Sequence, residues 1–178
     1  MTMLHRAYAF AHSTFCGELA PLLEAALASS EGAELERFVD QHLGALTDPY
    51  EGEPLETGWR ESLEAGDVQE LGDFALTKYY DGDLDLGLDA DWLEIKQELA
   101  KAGADAQLLL GTPFGPAAQP FDPGRQGAYF RSEAEVERDL AAVEQLAASR
   151  PELAELLAPL LGMLGQATRE RKGLYVTF

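Results

Sequence analysis

Five aspartates fall within eleven residues, Asp81, Asp83, Asp85, Asp89 and Asp91, and Glu94 follows them. Alternating carboxylates of this kind are the donor set of a calcium loop. Such a loop takes oxygen ligands from positions 1, 3, 5, 9 and 12 and turns sharply at a glycine in position 6. Counted from Asp83, the residues Asp85, Asp91 and Glu94 fall at positions 3, 9 and 12, but Gly87 and Leu88 stand at 5 and 6. Counted from Asp81, four positions are aspartates, but the glycine falls at 7 and Trp92 at 12. The spacing therefore admits a divalent cation, calcium first, on Asp83, Asp85, Asp91 and Glu94. It equally describes a solvated acidic turn that leads into a helix cap.

The other reactive residue types are sparse. Cys16 has His12 four residues before it and His5 further back, but a nucleophilic thiol needs an electropositive setting that this acidic chain does not offer. His42 lies on an apolar helical stripe, where a histidine is normally a satisfied structural group. Neither a dinucleotide fingerprint, a phosphate-cradling Gly-Lys loop nor a Gly-x-Ser-x-Gly elbow is present, so no catalytic residue is assigned. The segment Thr112–Gln126, TPFGPAAQPFDPGRQ, holds four prolines and is long for a connection inside a compact domain. Phe114 and Phe121, with Arg125 at the rim, are candidate anchors for a partner, to which Asp81, Asp83 and Asp85 would add charge. The alternative is that both rings enter the core and the prolines stiffen the loop.

Thirteen Lys and Arg against 32 Asp and Glu give a net charge of −19. A field of that sign repels phosphate backbones and anionic lipid, which disfavours nucleic-acid and membrane-surface roles and favours a basic protein partner. The apolar run Leu153–Leu164 is short and broken by Glu155, Pro159 and Gly162, so no membrane span is expected. The stretch MTMLHRAYAFAHSTFCGELA carries an interrupted apolar run and reads as no secretory signal. With one cysteine and no export signal, a reducing cytoplasm is the expected setting.

The elements that must position these residues read as follows. Aromatic content favours a strand within 3–15. Helices are expected over Gly17–Ser29 and Ala33–Leu46, paired as a hairpin, then an acidic loop over Thr47–Gly58 and one or two helical turns over Trp59–Ala65. Residues 71–80 fit neither period. Ala90–Ala102 is a helix with Trp92, Ile95 and Leu99 on one face, Asp89 or Asp91 at its N-cap and Gly103 at C′. Short strands are expected over Ala106–Gly111 and Ala128–Arg131. Ser132-x-x-Glu135 is a capping box that opens a long helix. Pro151 begins the last helix, Pro159 should kink or split it, and Leu174–Phe178 is a closing strand.

The order of motifs from about Leu88 to Phe178 resembles the YfbM-like family of small bacterial proteins of unknown function. The anchors are LDADWLEIKQELAKAG, the short LLLG, GAYFRSEAEVERDLAAVEQL and the closing GQATRERKGLYVTF. Where that family has a Lys before the Trp and a His later in the helix, this chain has Ala90 and Gln97. The resemblance implies a compact mixed α/β domain and brings no reaction with it.

The sequence thus reads as one α/β domain over 1–178, with a weak internal division near 47–70. A small mixed sheet of short strands is covered by four or more helices. Its expected role is that of an acidic protein-interaction module, an immunity-type inhibitor of a basic toxin being one concrete form. The alternative is an enzyme or cation-binding protein that uses the carboxylates of 81–94.

Overall fold

The computed structural model describes residues 3–105 and 107–178. In chain order the elements are β1 (Arg6–Phe10), α1 (His12–Glu18), α2 (Ala20–Ser29), α3 (Ala33–His42), α4 (Val68–Leu76), α5 (Trp92–Lys101), α6 (Gln107–Leu110), β2 (Thr112–Pro113), β3 (Tyr129–Arg131), α7 (Glu133–Ser149), α8 (Ala154–Arg169) and β4 (Gly173–Thr177), with short 3₁₀ turns between several of them. The architecture is mixed α/β, with a four-stranded sheet in the order β1-β4-β3-β2. Contacts group the chain into two compact units. One comprises Met1–His12, Leu84–Thr112 and Tyr129–Phe178, the other Ser13–Asp83 and Pro113–Ala128. The turn-rich stretch 47–70 lies wholly inside the second unit.

The first unit is built on β4. It pairs antiparallel with β1 on one side and β3 on the other, so that Tyr175 stands opposite both Tyr8 and Phe130. Alternation along a strand then gives the sheet two apolar faces. Ala7, Leu174 and Val176 join Val136, Leu157 and Leu164 of α7 and α8 in a continuous core. Phe10, Phe130 and Tyr175 stack on the other face, with ring centroids 5.3 to 6.1 Å apart. Gly173 opens β4 where a side chain has no room, because a Cβ there would abut the carbonyl oxygen of Arg131.

The capping box at Ser132 forms as expected. Its hydroxyl accepts the Glu135 amide at 3.3 Å, and the Glu135 carboxylate accepts the Ser132 amide at 2.7 Å. Helix α5 ends in a Schellman motif, with Ala104 N–H donating to Leu99 C=O, Gly103 N–H to Ala100 C=O, and Gly103 at φ +73°. At its start Asp91 occupies the expected N-cap position but makes no side-chain bond there, and Asp89 is held in a bridge with His5. Pro151 sits in a 3₁₀ turn, Pro151–Leu153, and α8 runs on through Pro159 without being split.

The strand expected over 106–111 is instead the single helical turn α6; Ala106 itself lies outside the described residues. Asp105 decides this, since its side chain accepts the Gln107 amide at 2.9 Å and its carbonyl the Leu108 amide, which starts a helical turn before the leucines can extend. Strand pairing begins only at Thr112, after Gly111 turns the chain at φ +99°.

In the second unit α2, α3 and α4 pack on one another around Leu23, Leu35, Phe38, Phe74 and Phe121. The ambiguous stretch 71–80 is helical: Asp67 caps α4 by accepting the amides of Gln69 and Glu70, and a 3₁₀ turn over Thr77–Tyr79 follows.

Two glycines should respond in opposite senses to alanine. Gly173→Ala meets strand backbone and should cost about 1–3 kcal/mol in urea unfolding. Gly162→Ala, at an exposed position of α8 with open space around it, should add up to ~1 kcal/mol through helix propensity.

Candidate functional site

Within 81–94 the carboxylates of Asp81 and Asp85 are engaged in separate local bonds. Asp81 accepts the Asp83 amide at 3.0 Å, which fixes a local turn. Asp85 bonds with one oxygen to the amides of Ala7 and Gly87, at 3.1 and 2.8 Å, and with the other to Arg6 at 2.9 Å. Among the described residues no group of three or more His, Cys, Asp or Glu side chains is placed to hold a metal ion. Asp83, Asp85, Asp91 and Glu94 are therefore not gathered into the ligand set that their spacing suggests. The cause is the course of the backbone. Residues 85–89 lie along the outer edge of β1, with Leu86 N–H donating to Ala7 C=O and His5 and Asp89 exchanging two bonds. Asp85 thus satisfies an edge amide that no strand reaches.

His5 completes that edge. It is 1% exposed, and its Nε2 lies 2.7 Å from the Leu109 carbonyl while its Nδ1 lies 3.2 Å from the Leu88 amide. A carbonyl only accepts and an amide only donates, so the proton resides on Nε2 and the ring is neutral. Burial holds its pKa below the ordinary histidine value, against the opposing pull of the Leu109 bond. The unfolded chain therefore binds the proton more readily, and this contribution to stability is full above about pH 6.5 and is lost as pH falls.

The proline-rich segment is likewise structural at its centre. Phe121 is 1% exposed and lies so close to Gly72 of α4 that a Cβ there would come within 2.7 Å of its ring. Gln69 clasps the segment at two points, donating to the Pro120 carbonyl at 2.9 Å and accepting the Asp122 amide at 2.8 Å. Phe121 is thus corrected from partner anchor to core residue, because its ring fills the space over a helical glycine. Phe114 is half-buried against Phe15, with centroids 5.3 Å apart, and of the three candidate anchors Arg125 alone is exposed.

A different place in the second unit carries the unusual electrostatics. The turn 47–54 is closed by a Thr47–Pro54 bridge. Asp48 stiffens it by accepting the amides of Tyr50 and Glu51, and Thr47 N–H donates to Thr77 Oγ1. This turn presents Tyr50, which is 61% exposed while its ring packs edge-on against Phe74 of α4, the neighbour of the buried Asp73. Burial pushes the Asp73 carboxyl up to about 7; the nearby Tyr50 hydroxyl opposes this, and the charges of Asp48 and Glu70 reinforce it. Tyr50 in turn is pushed up to about 12, by desolvation first and then by Asp73 and Glu70.

Around this pair the charge is one-sided. Residues 48–73 hold nine carboxylates and one base, Arg60. Its guanidinium is committed to Asp40 in a two-point contact, at 3.0 and 2.6 Å, and lies 3.6 Å from Glu36. The second unit as a whole carries 18 Asp and Glu against four Lys and Arg, a net of −14, whereas the first carries 14 against nine, a net of −5. The acidity of the chain is therefore concentrated in one unit. Two further polar clusters hold elements in place. Glu18 accepts from Lys78 and from Tyr79, the latter at 3.0 Å, which together hold its carboxyl low. Arg131 pairs with the buried Asp139 and ties β3 to α7.

Neither Tyr50 nor Asp73 belongs to a motif: Tyr50 lies in the acidic loop Thr47–Gly58, and Asp73 in the stretch 71–80 that fits neither period. No helix among the described residues is long and apolar enough to cross a membrane. No family model matches the chain and no curated protein or solved structure is similar to it, so the resemblance of its second half to the YfbM-like family draws no support from them.

Asp73→Asn tests the cost of the buried carboxyl. Asn keeps the size and a polar oxygen of the side chain and carries no charge. Because the folded carboxyl holds its proton to about pH 7 and the unfolded one releases it near the ordinary value, wild-type stability should decline from about pH 4 to 7. The variant should be more stable by about 2–4 kcal/mol at pH 7.5 and should lose that slope, as read by urea unfolding across pH.

Proposed function

We propose that the chain is a protein-interaction module whose second unit receives a basic protein partner. The observation that carries this reading is the segregation of charge: −14 in the second unit against −5 in the first, with the single base of 48–73 already spent on Asp40. Evenly spread acidity would speak only for solubility, whereas a concentrated field steers association and raises on-rates toward a cationic surface. Tyr50 gives that field an exposed aromatic ring, a residue type enriched at binding hot spots. Asp81 and Asp83, exposed in the same unit, add to its charge. A basic toxin or nuclease held by an immunity-type inhibitor is one partner of this chemistry. The proposal includes a cytoplasmic setting, which suits a lone exposed cysteine, Cys16.

The reading is tested by affinity capture from lysate of the source organism, with mass spectrometry of what is retained. A basic protein should be held at low ionic strength and released at high salt. It should be lost when Glu51, Glu53 and Glu56, all exposed, are changed to Lys, and kept when the exposed Glu137, Glu144 and Glu155 of the first unit are changed instead. Retention insensitive to the 51, 53 and 56 changes would sink the assignment of the surface.

A further inference from the structure

We infer that His5 is an acid-released latch: its neutral ring fastens residues 85–89 over the outer edge of β1, and a further proton on that ring frees them and bares the edge. The inference goes beyond the binding reading, since every group in it belongs to the first unit.

The fastening is a hydrogen bond that only a neutral ring can make. Nδ1 accepts from the Leu88 amide at 3.2 Å, while Nε2 donates to the Leu109 carbonyl at 2.7 Å. A further proton has to go on Nδ1. It sets two N–H groups against each other, leaves the Leu88 amide without an acceptor and charges a ring that is 1% exposed. The bond from Nε2 to Leu109 survives protonation and gains strength, so α6 stays in place and the cover over the edge yields. The cover is built to yield. Leu88 is its one buried residue, Leu86 and Gly87 are half-buried, and Asp85 and Asp89 are exposed. Asp89 is also held at φ +51°, a conformation that strains a residue with a Cβ. Apart from the ring, what ties the cover to β1 is the Leu86–Ala7 bond, the His5–Asp89 exchange and the contacts of Asp85 with Ala7 and Arg6.

Burial acts most strongly on the ring and favours its neutral form. The carbonyls of Leu109 and of His5 itself and the charge of Asp85 favour the imidazolium without overturning that. Phe178 meets the ring edge to face, with centroids 5.7 Å apart, and β4 carries no carboxylate or base. The ionisable side chains of the surrounding elements are exposed: Arg6 of β1, Asp89 of the cover, Asp91 and Glu94 at the start of α5, Asp105 before α6, and Glu155 and Arg169 of α8. Lifting the cover lets water reach the ring, so proton uptake and opening are linked. What opening uncovers is main chain of a strand edge at His5 and Ala7.

Amide hydrogen exchange by NMR, corrected for intrinsic rates, reads the latch at Leu86, Leu88 and Asp89. As the pH is lowered from about 6.5 to 5, protection there should fall by up to about tenfold per pH unit, while Val143 of α7 keeps its protection. His5→Asn, whose Oδ1 takes the place of Nδ1 and does not titrate, should make the profile flat. Protection that does not change with pH in the wild-type chain would overturn the latch, as would a slope that survives His5→Asn. An equal slope at Val143 would make the effect global unfolding and overturn it too. Should the variant not fold, ring nitrogen shifts of the wild-type chain decide. They should place the proton on Nε2 and the titration midpoint below about 6.5. A neutral ring protonated on Nδ1, or a midpoint at or above that value, overturns the latch equally.

Discussion

The fold of the first unit depends on β4. It is the last strand in order and one of the two inner strands in space, flanked by β1 from the other end of the chain and by β3. Nearly every residue of β4 is buried, and its side chains serve two apolar faces at once. Such a strand has no partner until distant segments have met, so its register must be specified by side-chain fit. Tyr175 opposite both Tyr8 and Phe130, and the absence of a side chain at Gly173 beside Arg131, provide that specification.

The outer edge of β1 poses the opposite problem. Edge amides and carbonyls invite foreign strands unless something covers them. Here residues 85–89 do so, with main-chain bonds at Ala7 and His5, the carboxylate of Asp85 and a neutral His5 ring bridging Leu88 and Leu109. Gly87 permits the approach, since a Cβ there would collide with the His5 carbonyl oxygen. A sequence pattern that resembles a cation loop is thereby put to use as an edge cover. Two of its carboxylates, Asp81 and Asp85, are spent on backbone amides, and Asp85 also on Arg6.

The second unit has another division of labour. Helices α2, α3 and α4 enclose aromatic and aliphatic side chains, while their surroundings hold most of the negative charge of the chain. The proline-rich segment contributes to the core through Phe121 and to rigidity through Gln69. On the turn 47–54 Tyr50 is exposed, and its ring meets Phe74 of α4 next to the buried Asp73.

The sequence by itself determined the parts whose signals are local. The Ser132 capping box, Gly103 at the end of α5, the apolar stripes of α7 and α8 and the strand before Phe178 each rest on neighbours a few residues apart, where short-range hydrogen bonding and periodicity decide the outcome. The class of fold and the excess of acid were equally legible. Where local signals were weak the reading stayed open or failed: 71–80 shows no clean period, and the leucines of 107–110 carry no alternation, so the caps at Asp67 and Asp105 settled those stretches. Tertiary structure alone decided the fate of side chains. Whether Phe121 faces solvent depends on Gly72 being far away in sequence and adjacent in space. Whether five aspartates converge on a cation depends on the edge of β1, and whether one carboxyl among 32 keeps its proton near neutrality depends on how deeply α4 buries it. Burial and convergence are properties of distant segments brought together, and one-dimensional spacing does not encode them.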